Sequence, residues 1–181
     1  YHSASLLPGG TGVIFAKATK EGPRLYEQTF GQEAKLIFGG NLGPSHILDA
    51  ELSHDGRYLL LTAALGAASE MDVVHVMRMG DRTLIPINTD LKATFNGAIG
   101  GETLFLRTNW NAPRQRVLAV DLRKPERANW KEIIPQSKWN IESMALAGGH
   151  VAINTLENVL PKTRVYTPAG KLVREVKFPG I

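Results

Sequence analysis

Ser53-His54-Asp55-Gly56-Arg57-Tyr58-Leu59-Leu60-Leu61 is a tight turn running straight into an apolar segment. Asp bonds its own backbone in such a turn and Gly supplies a positive φ. An apolar run of this length, bounded by a turn, suits a strand buried on both faces. The arrangement recurs. Leu7-Pro8-Gly9-Gly10 leads into Val13-Ile14-Phe15-Ala16, Ile99-Gly100-Gly101 into Leu104-Phe105-Leu106, and Ala147-Gly148-Gly149 into Val151-Ala152-Ile153. The last glycines of the four turns, Gly10, Gly56, Gly101 and Gly149, lie 46, 45 and 48 residues apart.

Working outward from each turn, further strands fall into step. A strand precedes the turn at 3–6, 47–52, 92–98 and 141–146. A second apolar run follows at Leu25-Tyr26, 73–76, 117–120 and 164–166, and a more amphipathic run closes each unit at 35–38, 84–87, 130–134 and 172–176. Four up-and-down antiparallel strands in 40–50 residues is the period of a propeller blade. The sequence therefore predicts an all-β chain, a β-propeller of about four blades at 1–45, 46–90, 91–136 and 137–181. Helices are excluded by Pro86, Pro113, Pro125, Pro135, Pro161 and Pro168, which punctuate the chain. Four blades is the low end for closure, so the chain is either a small ring or an arc of a larger one. An arc leaves an apolar face uncovered at each end.

Composition narrows the function. The chain has 181 residues, 43% of them hydrophobic and 21% charged, which excludes disorder. Its formal charge of +4 is mild, and Arg114, Arg116, Arg123, Lys124 and Arg127 are interrupted by apolar residues and Glu126, so nucleic acid is not an expected partner. With no cysteine there is no disulfide, no Cys-ligated metal and no Cys nucleophile. No apolar stretch reaches the ~18 residues of a membrane helix, so a membrane is not an expected partner either. The chain starts at Tyr1, which points to a processed chain or a cut piece. Cytoplasm and periplasm both stay open.

Catalytic signatures are absent. No Gly-x-Ser-x-Gly elbow, Walker loop or His-Glu-x-x-His occurs, and Gly9-Gly10-Thr11-Gly12 precedes a strand rather than a phosphate-binding helix. The five histidines fall at non-equivalent positions, so no metal site and no cofactor are expected. His75, in an apolar strand, is read as a hydrogen-bonded core residue, and His54 and His150 as solvated turn residues. Trp130 is expected on the outer strand of its blade. Trp110, in the loop Thr108-Asn109-Trp110-Asn111-Ala112-Pro113, is either a binding residue or a lid on a neighbouring blade.

Three stretches carry a resemblance. They are Ala50-Glu51-Leu52-Ser53-His54-Asp55-Gly56-Arg57-Tyr58-Leu59-Leu60-Leu61, then residues 103–109 with Ala112-Pro113 and 116–122, then Pro125-Glu126 through Asn129-Trp130 to Ile134-Pro135. In order and spacing they resemble the propeller of the prolyl oligopeptidase family, over the whole chain. The resemblance implies a seven-bladed propeller covering an α/β-hydrolase domain with a Ser-Asp-His triad, in serine peptidases that cut short peptides after proline. This chain would supply four of the blades and none of the triad, and would be inactive alone. Its partners would be the hydrolase domain of the same parent chain and short proline-containing peptides. Carried over by position, the propeller's substrate-facing residues fall on Tyr1, Ile47, Ala64 and Ala67. Tyr1 and Ile47 keep an apolar wall, unless they simply pack in the core. Ala64 and Ala67 stand where relatives place an Arg and a Cys, so a cation and a thiol are lost. Two functions are weighed: a gating propeller that filters peptides by size, and a stand-alone propeller that binds a protein or ligand.

Overall fold

The structure, a computed structural model, describes residues 4–176. Among them are sixteen strands, and the only helical turns are 3-10 turns at Pro8–Gly10 and Arg127–Asn129. The strands form four antiparallel sheets of four, each in plain sequence order. Within each sheet every strand pairs with the one before it, so each sheet is an up-and-down meander of the propeller-blade kind. The chain divides into two compact units, Tyr1–Lys92 and Ala93–Ile181, each holding two sheets.

In the first unit, the first sheet runs β1 (Ala4–Leu6), β2 (Gly12–Thr19), β3 (Gly22–Thr29) and β4 (Lys35–Phe38). The second runs β5 (His46–Leu52), β6 (Tyr58–Leu65), β7 (Asp72–Arg78) and β8 (Leu84–Asn88). Alternate residues of β2 turn inward, and β6 is buried from Tyr58 through Leu61 on both faces. Ile14, Ala16 and Leu25 of the first sheet meet Ala50, Leu59, Leu61 and Met77 of the second in one apolar core. Burying each such leucine is worth about 1.5–3 kcal/mol. The decisive turn also fits here: Gly56 has φ +68° and lies against the Pro8 ring, leaving no room for a Cβ.

In the second unit, the third sheet runs β9 (Phe95–Gly100), β10 (Thr103–Thr108), β11 (Arg116–Asp121) and β12 (Lys131–Ile134). The fourth runs β13 (Ile141–Ala147), β14 (His150–Glu157), β15 (Leu160–Tyr166) and β16 (Leu172–Val176). Phe105, Val117 and Ile134 pack against Ile141, Val151 and Ile153. Arg107 ties the two sheets by donating to the carbonyls of Ile141 and Glu142.

Two details depart from the sequence reading. The strand expected at 92–98 starts at Phe95, because the buried Asn88 side chain donates to the Asp72 and Leu91 carbonyls and accepts from the Leu91 N–H. Those bonds hold residues 88–91 in a turn. His75 is not hydrogen-bonded as expected: it is half-buried beside the Phe38 ring, 5.9 Å between centroids, and its Nδ1 has no partner among the described residues.

Candidate functional site

Ile47, Ala64 and Ala67 converge on one end of the second sheet. Ile47 is the second residue of β5 and pairs across the ladder with Ala64 near the end of β6. The chain then turns at Gly66, φ +79°, and Ala67 follows on the exposed surface. Ile47 is 49% exposed and Leu65, beside Ala64, is 64% exposed, so this strand end is an apolar surface rather than core. The loop leaving it is held by Ser69, whose hydroxyl donates to the Met71 carbonyl and accepts the Met71 N–H. Asp49 and Glu51 share the Ile47 face of β5 by the two-residue period. Burial first, and then the neighbouring Asp49, push the Glu51 carboxyl up. The surface can thus hold an apolar group by contact, while Ala64 and Ala67 bring no charge and no hydrogen bond from a side chain. Tyr1 lies outside the described residues.

Trp110 occupies the same strand-to-strand loop of the third sheet as Ala67 does of the second. Its N–H donates to the Thr108 hydroxyl, and Asn111 beside it has φ +49°. The ring meets Trp130 edge-on at 5.9 Å, and Trp130 meets Phe95 edge-on at 6.4 Å. The Arg116 guanidinium sits 5.0 Å and that of Arg127 5.8 Å from the Trp110 ring centre. These contacts are cation–π and edge-to-face pairs within one sheet. Trp110 therefore packs on its own blade. Trp130 lies just ahead of the outer strand, its Nε1–H donating to the Pro125 carbonyl, and reaches across to Phe95 of β9.

A groove of about 480 Å³ opens between the third and fourth sheets. Ile134, Ile141 and Ile153 form its floor, and Trp139 and Tyr166 line it. Ser137 shapes the connecting segment by donating to the Trp139 carbonyl and accepting the Trp139 N–H, 3.0 Å each. Arg164 pairs with Glu157 and Glu175, and Lys162 with Glu175. The sequence reading named none of these as a site residue. They come from the end of β12, the linker before β13, and β13 through β16, and only the register brings them together.

Residues 17–181 match the sequence profile of the prolyl oligopeptidase N-terminal β-propeller domain. The chain belongs to this family. It is 32% identical over 151 residues to the prolyl endopeptidase of Elizabethkingia miricola, and 30% over 148 residues to that of Elizabethkingia meningoseptica. Each alignment covers 81% of the chain and 21% of the relative, so the chain spans about a fifth of the length of these curated relatives. A solved prolyl endopeptidase superposes with a TM-score of 0.90 at 27% identity, over 99% of the chain and 28% of its own. Prolyl oligopeptidase B from Galerina marginata shares the fold, with a TM-score of 0.82 at 20% identity, over 96% of the chain and 26% of its own.

In this prolyl oligopeptidase propeller the polar side chains of the turns bond locally. Ser53 donates to Asp55 at 2.7 Å, and Ser69 and Ser137 to nearby carbonyls. Asp55, Asp81 and Asp121 each accept the backbone N–H two residues on, at 3.0–3.1 Å. Partial burial pushes the Asp55 carboxyl up, but hydrogen bonds from Arg57 and Ser53 outweigh it and hold it at about 2. Bonds from Thr83 and Arg78 hold Asp81 at about 2, and those from Arg123 hold Asp121 there too. Burial pulls the His75 imidazole below its ordinary value. These groups fix turns and packing.

Proposed function

We propose that this propeller segment filters substrates for a prolyl endopeptidase, standing over an α/β-hydrolase domain of the same parent chain. The observation that carries the reading is the superposition on a solved prolyl endopeptidase at a TM-score of 0.90, with family membership over residues 17–181. The mechanism is steric. Narrow openings between and through blades admit short, flexible peptides and hold folded chains away from the catalytic serine. The exposed wall of Ile47, Ala64 and Ala67 supplies apolar contact to the peptide without selecting charge.

The full-length protein tests this. It is expected to hydrolyse a short Gly-Pro reporter, and to cut the same Gly-Pro bond placed in an exposed loop of a folded protein at least ~10-fold more slowly. Ile47→Ala raises KM for the reporter about 5-fold and leaves kcat unchanged, as loss of about 1 kcal/mol of contact requires. No reporter turnover overturns the filter reading and leaves a stand-alone binding module; equal cutting of both substrates overturns the filter and leaves a peptidase whose propeller does not select by size.

A further inference from the structure

The hairpin joining β14 to β15 carries Leu156-Glu157-Asn158-Val159-Leu160-Pro161 at its end. Leu156 pairs with Pro161 and Glu157 with Leu160, so Asn158 and Val159 form a two-residue turn. Both have positive φ, +50° and +69°. Such a turn favours Gly at its second place, and a β-branched residue there is strained. The strain falls on a side chain in open water: Val159 is 84% exposed, and Leu156 and Leu160 beside it are exposed too. The charge in the turn is drawn down into the sheet. The Glu157 carboxylate pairs with Arg164 and accepts from the Thr155 hydroxyl at 3.0 Å, and Arg164 also pairs with Glu175. The tip is therefore braced from below and presents aliphatic groups without an unpaired charge. The equivalent two-residue turn of the first sheet, between β2 and β3, carries Lys20 and Glu21, as a turn facing water does.

We propose that the Val159 tip is a docking knob that seats in an apolar socket on the hydrolase domain of the same parent chain. It holds the propeller against that domain, so that peptides enter only by the narrow openings. The proposal rests on the filter reading above. Two observations select this occupant over a second copy of the chain. The tip lies where the second strand of its sheet ends and the third begins, which in the second sheet is the place of Ala64 and Ala67, beside Ile47. The chain also spans about a fifth of its curated relatives, so the parent holds ample further protein to supply the socket. Strain of this kind gathers at clamps and switches, and a braced aliphatic knob has little freedom left to lose on docking.

Photo-crosslinking of the full-length protein, with Val159 replaced by p-benzoylphenylalanine, tests it. Irradiation is expected to give a monomeric product whose crosslinked peptide, read by mass spectrometry, lies in the hydrolase domain. A crosslink to a second copy, a crosslink within the propeller alone, or none, overturns the assignment. Val159→Asn supplies the energetic readout, because Asn suits the left-handed turn and keeps the hairpin. It is expected to lower the discrimination between the short Gly-Pro reporter and the loop substrate about 5-fold, and to raise the radius of gyration in small-angle scattering. Val159→Leu, which keeps an apolar contact, retains the wild-type ratio. Wild-type discrimination and radius in Val159→Asn also overturn the knob. The filter itself fails differently. A hydrolase-domain crosslink in a protein that cuts both substrates equally keeps the knob and sinks the filter; selective cutting without that crosslink does the reverse.

Discussion

At the scale of single residues, glycine separates two kinds of constraint. Gly170 has φ +83°, and a Cβ there would run into the Ile133 carbonyl of the neighbouring sheet. Gly101 has φ +60° and open space around it. Gly101→Ala is expected to cost about 1 kcal/mol, the penalty of the left-handed region alone. Gly170→Ala adds a backbone collision and is expected to cost about 2–4 kcal/mol. Urea midpoints of the two variants check the order, and equal shifts would show that the sheets give way at Gly170. Titration divides the same way. His75 has its folded pKa lowered by burial, so its contribution is complete above the unfolded value near 6.5 and is lost as pH falls below it. Asp55, Asp81 and Asp121 sit at about 2, so their contribution is complete above an unfolded value near 3.9 and is lost as pH falls from there to about 2. Stability is therefore expected to fall in two stages on acidification. Urea unfolding at a series of pH values checks this. His75→Gln flattens the first stage, and Asn at the three aspartates, which keeps the acceptor for the turn N–H, flattens the second.

At the scale of elements, the sequence carries what side chains decide and omits what the backbone decides. The Gly turns and the apolar runs are legible because burial forces their composition, on both faces in β6 and β10 and on alternate residues in β2 and β14. The pairing of Ile47 with Ala64 follows from the same reading, since a hairpin fixes which residues face each other. The bulges are not legible. Each outer pairing breaks register once, after Leu25, Val74, Val117 and Val165. A bulge at that point sharpens the twist of the outer strand, and it needs no particular side chain to form. The start of β9 was hidden for a related reason: the amides of Asn88 and Asn109 bond backbone groups of Leu91 and Thr94 in the linker before it, and an Asn in sequence does not announce its partner. The groove escaped because Trp139 and Tyr166 lie on separate elements, each unremarkable alone. The turn at its rim was equally unannounced: Asn158 and Val159 both adopt positive φ, which suits Asn and is unusual for a β-branched residue.

At the scale of the whole molecule, the decisive quantity is apolar surface without cover. In the first sheet Leu6 is 67% exposed, and Phe30 and Leu36 are exposed with it. In the fourth sheet Val159 is 84% exposed, and Leu156, Leu160, Leu172 and Val173 are exposed too. Covering such surface is worth about 25 cal/mol per Å², so an isolated propeller segment gains by finding a second copy. The chain spans about a fifth of its curated relatives, in which more protein is present to provide that cover. The purified 181-residue chain is accordingly expected to self-associate, with a sedimentation coefficient that rises with concentration in analytical ultracentrifugation. Replacing Leu6 and Phe30 in the first sheet, or Leu156 and Val159 in the fourth, with Ser or Lys is expected to lower the association, since each pair removes apolar area from one of the two exposed regions. A chain that stays monomeric at every concentration, with high thermal stability, would mean that these side chains are covered within a single copy. That outcome would favour closure of the four blades on themselves over an arc completed by other protein.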